Sequence, residues 1–150
     1  MHETDKGMKK VMDLFHERYG ERVNEFLVPP PILNTMQGEV VDVDLEANWM
    51  SVRFPVFAEY LNPYRTVQGG VIAAAVDNTI GPLSMLVAPP NVTRRMELTY
   101  SKPVSPDLEY IVVEANLVER QGRQLQFKAE VRDPDGTRLV RARATHWVVE

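Results

Sequence analysis

Residues 62–77, which read NPYRTVQGGVIAAAVD, contain the pattern that decides the fold. Two glycines open an apolar run from Val71 to Val76 in which no side chain is polar. A segment that is apolar on every side is predicted to be a buried helix. Asp77 follows this run directly, and an ionised carboxylate is costly to bury without a partner. We therefore expect Asp77 to serve chemistry rather than packing.

The paired glycines leave the backbone N–H groups at the start of this helix unobstructed. A helix N-terminus favours negative charge, so the Gly69 N–H is a candidate donor to a developing oxyanion. Asp77 lies about two helical turns further along the chain, and the combination suggests acyl chemistry. Two structural alternatives stay open. Paired glycines also permit tight turns, and Asp77 could cap or bridge a helix kinked near Pro82.

The first part of the chain is predicted to be a helical extension. Residues 5–27 carry apolar side chains at helical spacing, and Gly20 weakens this pattern without necessarily breaking it. The prolines at 29–31 end the helix and form a stiff connector. We assign residues 1–35 to this extension, which is expected to pack on a main domain at residues 36–150.

The main domain is predicted to be α+β. Two short alternating strands precede the buried helix, and several alternating strands joined by tight turns follow it. Strands connected in this way form an antiparallel meander. A curved antiparallel sheet could wrap around a helix that is apolar on all sides, and other α+β arrangements could also cover it. Pro82 is expected to kink or shorten that helix.

Composition excludes several functional classes. The chain has 150 residues, 44% hydrophobic and 25% charged, as expected for one domain with a single core. Its net charge of −4 argues against general binding to nucleic acid or to an anionic membrane. The charged N-terminus lacks the apolar segment of a signal peptide, and no window approaches the length of a membrane span. We expect a soluble, cytoplasmic protein with no membrane partner.

No metal or cofactor is predicted from the motifs. The absence of cysteine removes thiolate ligands and a cysteine nucleophile. The three histidines, His2, His16 and His146, lack metal-ligand spacing. The sequence also lacks a Gly-x-Ser-x-Gly elbow, a phosphate loop and a dinucleotide fingerprint.

Five motifs follow one another at fixed spacing in the main domain: Asn62, Gln68-Gly69-Gly70, Asp77, Val92-Thr93 and Tyr100-Ser101-Lys102-Pro103. In this order they resemble the hotdog-fold thioesterase superfamily, specifically its phenylacetate-pathway-like branch. The resemblance spans residues 38–148, about three quarters of the chain. Each motif alone is weak, and their common order makes the match specific.

The resemblance implies a hotdog fold, a curved antiparallel sheet wrapped around a central helix, and acyl-CoA thioesterase activity. It also implies a homodimer or homotetramer with active sites at a subunit interface, and no cofactor beyond the coenzyme A of the substrate. Asp77 would be the general base or the nucleophile, and the Gly69 N–H would bind the oxyanion. Asn62 would place the catalytic groups and water, and Thr93 would assist that water or the carboxylate.

Gln68 departs from the family pattern, which has histidine before the two glycines. Glutamine does not titrate near neutrality, so an acid role at this position is in doubt while the backbone oxyanion site is unaffected. Gln68 and Gly70 are expected to contact the substrate. Asn62 and Thr93 also have structural interpretations, since asparagine is common in turns and threonine in strands.

Two other functions are compatible with the same fold. Gln68 could mark a non-catalytic hotdog protein that binds acyl-CoA without turnover. A hotdog dehydratase or hydratase is the less favoured alternative, because that chemistry needs a histidine beside the carboxylate and the cleft segment contains none.

Overall fold

The computed structural model describes residues 3–150, with side chains from Lys6 onward, so His2 lies outside the described residues. Within this range the chain forms three α-helices and six strands. Two short 3₁₀ segments occupy Gly20–Glu25 and Ala58–Tyr60. The helices are α1 (Glu3–Tyr19), α2 (Pro31–Thr35) and α3 (Gly69–Val87). The strands are β1 (Glu39–Asp44), β2 (Trp49–Pro55), β3 (Asn91–Tyr100), β4 (Tyr110–Gln121), β5 (Gln124–Arg132) and β6 (Arg138–Val148).

The six strands form one antiparallel sheet in the order β1-β2-β4-β5-β6-β3. The sheet curves around α3, which contacts β2, β3, β4 and β5. Strand β3 follows α3 in the chain and lies at one edge of the sheet, beside β6. The predicted hotdog architecture is confirmed, and its topology places the end of α3 and the start of β3 at the same corner.

The inner face of α3 builds the core, and its outer face does not. Ile72, Val76, Ile80 and Leu83 are buried at helical spacing. Asp77 is exposed, so the prediction of a helix buried on all sides was wrong. Small side chains explain the difference: the stripe that leads to Asp77 holds Gly70, Ala73 and Ala74, which bury little area and can stay partly uncovered.

Helix α3 is long and apolar enough to cross a membrane, contrary to the expectation that no segment approaches that length. Half of the qualifying window is buried inside the fold. The same profile is that of the core helix of a globular domain, which is the role α3 has here. Pro82 does not shorten this helix, which continues to Val87.

The N-terminal extension is broken into shorter pieces than the predicted helix over residues 5–27. Helix α1 ends at Tyr19, and Gly20 adopts a left-handed φ of 56°, a conformation that glycine accepts without the strain of a side chain. Val11 and Phe15 of α1 belong to the same buried core as the sheet. The boundary between residues 35 and 36 stays a prediction.

Gly7 is the point of closest approach between α1 and the sheet. A Cβ built on Gly7 would lie 2.0 Å from the Val40 carbonyl oxygen, far inside van der Waals contact. Gly7→Ala should therefore lower the free energy of unfolding by about 1–3 kcal/mol, the usual cost of overpacking. Thermal or denaturant unfolding measures this change.

Gly81→Ala is the matched control, because a Cβ at this α3 position meets nothing within 4 Å. Alanine has a higher helix propensity than glycine, so this variant should gain up to about 1 kcal/mol. Equal stability of the two variants would contradict the described docking of α1.

Candidate functional site

Asp77 and Thr93 meet where α3 and β3 lie side by side. The Thr93 hydroxyl donates a hydrogen bond to the Asp77 carboxylate, with 3.2 Å between Oγ1 and Oδ1. Both residues are exposed. A carboxylate on a packed helix, held by a hydroxyl on a neighbouring strand, is fixed in direction and still open to a ligand. The structure thus brings together two of the predicted site residues.

His146 is a site residue that the sequence analysis missed. Its ring lies on β6 next to Thr93, with 3.2 Å between His146 Nε2 and Thr93 Oγ1. The residue is only 2% exposed, and its ring is tilted against Phe127 with centroids 5.0 Å apart. The cleft segment contains no histidine, as stated above, but β6 brings His146 to within one hydroxyl of Asp77.

A signal for His146 was present in the sequence. In β6, Val140, Ala142, Ala144 and Val148 alternate as buried residues, and His146 occupies the same inward-facing register. A titratable side chain at a core position of a strand needs hydrogen-bond partners. Those partners come from β3, which pairs with β6, and pairing of strands distant in sequence is not visible from local patterns.

Asn91 fixes the orientation of the His146 ring. Its amide nitrogen donates to the carbonyl oxygens of Pro89, at 2.9 Å, and Ser84, at 3.3 Å, so its Oδ1 points at the ring. Oδ1 lies 2.7 Å from His146 Nδ1 and can only accept a hydrogen bond. Nδ1 therefore carries hydrogen and, in the neutral ring, Nε2 is the acceptor that faces Thr93.

Burial lowers the pKa of His146 below its ordinary value, and the negative charge of Asp77 opposes this shift. The ring is therefore neutral at physiological pH. In that state Nε2 is an acceptor for the Thr93 hydroxyl, which also faces the Asp77 carboxylate.

A pocket of about 330 Å³ opens beside this cluster, within the size range of small-molecule sites. Its walls include Asp77 and Met85 of α3, together with Thr93 and His146. The N-terminal extension completes the walls with apolar side chains, namely Phe15, Leu27, Val28 and Pro30. The Tyr19 hydroxyl donates to the Met85 carbonyl oxygen at 2.6 Å and ties the extension to α3 at this place.

A second cluster lies at the N-terminus of α3. Gly69 is the first helical residue, and its N–H has no acceptor within the helix. The Tyr100 hydroxyl at the end of β3 donates to the Gly69 carbonyl oxygen at 2.7 Å. Gln68 and Gly70 are exposed on either side of Gly69. Burial raises the pKa of Tyr100, so this hydroxyl stays protonated and available as a donor.

Asn62 shapes the loop before α3. Its Oδ1 accepts hydrogen bonds from the N–H groups of Tyr64, at 2.9 Å, and Thr66, at 3.1 Å. Its Nδ2 donates to the Thr66 hydroxyl at 3.0 Å. These bonds agree with the turn interpretation of Asn62, and its catalytic role stays a prediction.

The two clusters are separate within one chain. Gly69 and Asp77 are eight residues apart on a continuous helix, which corresponds to about 12 Å along the axis and roughly 80° around it. One carbonyl group cannot lie within hydrogen-bond reach of both. In the described residues there is no group of three or more histidine, aspartate or glutamate side chains that could hold a metal ion.

The model of the thioesterase superfamily matches residues 64–140, which include Gln68, both glycines, Asp77 and Thr93. No curated protein matches the chain. A phenylacetic acid degradation-related protein from Ralstonia eutropha has a similar solved structure, with 26% identity and a TM-score of 0.75. That similarity covers 87% of this chain and 99% of the other.

Two further solved structures share the fold at lower identity. The Escherichia coli PaaI protein from the phenylacetic acid degradation operon is 11% identical, with a TM-score of 0.74 over 91% of this chain and 94% of its own. A hypothetical thioesterase from Streptococcus pneumoniae, solved with coenzyme A, is 18% identical. Its TM-score is 0.68 over 75% of this chain and 85% of its own.

Proposed function

This chain belongs to the thioesterase superfamily, and we propose that it hydrolyses an acyl-CoA thioester to the free acid and coenzyme A. The observation that carries this proposal is the Asp77 carboxylate, held by Thr93 at the mouth of a pocket with apolar walls. The carboxylate supplies the reactive group, and the pocket suits an acyl chain or ring. The coenzyme A in the related Streptococcus pneumoniae structure supports this class of substrate.

Asp77 can act in either of two ways. As a general base it would take a proton from water as the water oxygen attacks the thioester carbon. As a nucleophile it would attack that carbon itself. The carbon–sulfur bond would break, the coenzyme A thiolate would leave, and water would cleave the resulting anhydride. In both routes the carbonyl oxygen becomes negative, and the unpaired N–H of Gly69 at the helix N-terminus would stabilise it.

We further propose that the active site is shared between two copies of the chain. Strand β3 is an edge strand of ten residues. An uncovered edge of this length is a template for pairing with another strand. Val92 and Tyr100 near its two ends leave nearly half of their surface exposed, which favours a partner strand.

Antiparallel pairing of two β3 strands would join the two clusters. It would bring the Thr93 end of one strand beside the Tyr100 end of the other. Thr93 contacts Asp77 and Tyr100 contacts Gly69. Gly69 would then face Asp77 of the partner subunit, and the 12 Å separation within one chain would no longer matter. This arrangement also leaves Asn62, Gln68 and Gly70 at the interface, where they would contact the substrate.

The alternative of a non-catalytic acyl-CoA-binding protein predicts ligand binding without release of coenzyme A. The dehydratase alternative gains a histidine in the structure, His146, but both of its ring nitrogens are engaged by Asn91 and Thr93. A ring held in this way has no free nitrogen for a substrate, so thioester hydrolysis remains the better-supported proposal.

Asp77→Asn should reduce kcat for acyl-CoA hydrolysis by at least about a hundredfold, the scale of a positioned acid–base group. The amide keeps the shape of the side chain, so the fold should be retained. Thiol release from a panel of short, long and aromatic acyl-CoAs measures the effect.

Asp13→Asn is the matched control, since Asp13 is a surface carboxylate that forms an exposed ion pair with Lys9. Such pairs contribute little to stability, and this variant should keep wild-type turnover. Wild-type turnover by Asp77→Asn would rule out the assigned role, and coenzyme A binding without turnover by the wild type would favour the binding-protein alternative.

The shared site can be tested by mixing subunits. Asn62→Ala and Asp77→Asn should each be inactive, but exchange between them should create some sites with both halves intact. Activity should then recover to a fraction of the wild-type value in proportion to the mixed dimers. Exchange shown by mass spectrometry with no recovery of activity, or an active monomer in light scattering, would refute the shared-site proposal.

The wall formed by the extension predicts control over acyl-group size. Leu27 is 75% exposed and lines the pocket, so Leu27→Trp should narrow it without disturbing the core. We expect kcat/KM for long acyl chains to fall about tenfold relative to acetyl-CoA, within the range that pocket contacts supply.

Ile32→Trp controls for the added ring, because Ile32 is 52% exposed on the same extension and does not line the pocket. It should leave the chain-length profile unchanged. Identical profiles for Leu27→Trp and the wild type would show that the acyl group binds elsewhere.

A further inference from the structure

A chain of four polar groups links the reactive carboxylate to the protein interior. It runs from Asp77 through the Thr93 hydroxyl and the His146 ring to the amide of Asn91. The outer end is exposed and the inner end is anchored, because Asn91 also donates to two backbone carbonyls. A catalytic carboxylate needs one hydroxyl to orient it, and the thioesterase proposal gives no role to the two inner groups.

The hydrogen-bonded series from Asp77 to Asn91 contains fewer hydrogens than contacts. His146 Nδ1 carries hydrogen toward Asn91, so Nε2 of the neutral ring can only accept. An ionised Asp77 can also only accept. The Thr93 hydroxyl lies 3.2 Å from both acceptors and has a single hydrogen to offer them. One of the two 3.2 Å contacts therefore has no hydrogen between its two heavy atoms until another proton arrives.

One added proton satisfies both contacts in either of two arrangements. It can rest on His146, so that Nε2–H donates to Thr93 and the Thr93 hydroxyl donates to an ionised Asp77. It can instead rest on Asp77, so that the carboxyl O–H donates to Thr93 and the hydroxyl donates to Nε2. The two arrangements differ by a shift of two hydrogens along the same hydrogen bonds, with no movement of heavy atoms.

We propose that His146 is a positioning residue that stores, through Thr93, the proton that Asp77 takes from the attacking water. The inference rests on the proposed function and on the general-base route for Asp77. His146 lines the pocket, but it acts on the reacting atoms only through Thr93 and Asp77. Its role is to keep Asp77 ionised after the first proton transfer, with the carboxylate held by the Thr93 hydroxyl.

The proton balance of the proposed step closes. The O–H bond of water breaks as its oxygen bonds to the thioester carbon, and the proton passes to Asp77. The carboxyl proton then moves to Thr93 Oγ1 while the Thr93 hydrogen moves to His146 Nε2. When the tetrahedral intermediate collapses, the carbon–sulfur bond breaks and the same path runs in reverse. The proton finally leaves Asp77 for the coenzyme A thiolate.

The surroundings of the ring fit this role. Asp77 is the charged group that α3 presents, β3 presents Thr93 and Asn91, and β5 presents the Phe127 ring. Burial lowers the pKa of His146 and the Asp77 charge raises it. The ring is therefore neutral before the reaction and can accept a proton. The negative Asp77 carboxylate, on the other side of the Thr93 hydroxyl, then stabilises the protonated ring.

The first test needs no turnover and therefore separates this inference from the proposed function. The ring of His146 can be followed by ¹⁵N and ¹³C NMR across pH, with its signal assigned by its loss in His146→Gln. We expect the Nδ1–H form at neutral pH. Asp77→Asn should move the titration to lower pH by removing the charge that favours the imidazolium. Thr93→Val keeps the shape but removes the link, and it should also change the titration.

Thr145→Val is the matched control, because Thr145 neighbours His146 on β6 and its hydroxyl bonds to Gln126. This variant should leave the His146 titration unchanged. A titration that is identical in the wild type, Asp77→Asn and Thr93→Val would show a merely structural histidine and overturn the proposal, whether or not the protein hydrolyses acyl-CoA.

The second test uses kcat/KM against pH for the wild type and His146→Gln. Glutamine can hydrogen-bond to Thr93 but cannot store a proton. We expect kcat to fall roughly a hundredfold with little change in KM, the low end for a positioned proton-transfer group. The acidic limb should steepen toward a slope of two in the wild type, where two coupled groups titrate, and keep a slope of one in the variant.

His146→Gln with wild-type kcat and an unchanged acidic limb would overturn the storage role even if Asp77 is essential. If His146→Gln fails to fold, as judged by circular dichroism, Thr93→Val supplies the same comparison. Thr93 lies on an exposed strand, so Thr93→Val should fold. The acidic limb of its pH profile should keep a slope of one, as expected for His146→Gln.

Discussion

The inner face of α3 packs against the curved sheet, and the position of every candidate functional group follows from that contact. Ile72, Val76, Ile80 and Leu83 are almost completely buried, and each such side chain contributes about 1.5–3 kcal/mol when removed from water. Burial of these side chains fixes the rotation of α3 about its axis. In that orientation Asp77 lies on the side of the helix that faces β3. The exposed carboxylate is thus a consequence of core packing.

The same rigid helix separates the proposed oxyanion donor, Gly69, from the Asp77 carboxylate. Gly69 and Asp77 lie on one continuous element, so neither can approach the other within a chain. Strand β3 spans the same distance alongside, touching Gly69 through Tyr100 and Asp77 through Thr93. In the proposed dimer, a second copy paired along β3 would resolve this separation. The proposal would then account for the uncovered edge strand and the divided site together.

The sequence predicted the parts of this molecule that local patterns control. The apolar run at 71–76 predicted α3, alternation predicted the strands, and the motifs around Asp77 and Thr93 predicted the family and two groups that the structure brings together. The exposure of Asp77 was missed because an apolar run does not show which small residues stay uncovered. His146 was missed because its partners, Asn91 and Thr93, lie more than 50 residues away on a paired strand.

The central claim is that one thioester is bound by groups from two chains. The most direct test is a crystal structure with a non-hydrolysable ketone analogue of an acyl-CoA. In this analogue a methylene group replaces the thioester sulfur. We predict that the ketone oxygen accepts a hydrogen bond from the Gly69 N–H. We also predict that Asp77 of the partner subunit lies one water away from the carbonyl carbon, with the acyl group beside Leu27 and Met85. A carbonyl group bound away from both residues, or bound between groups of a single chain, would contradict the account.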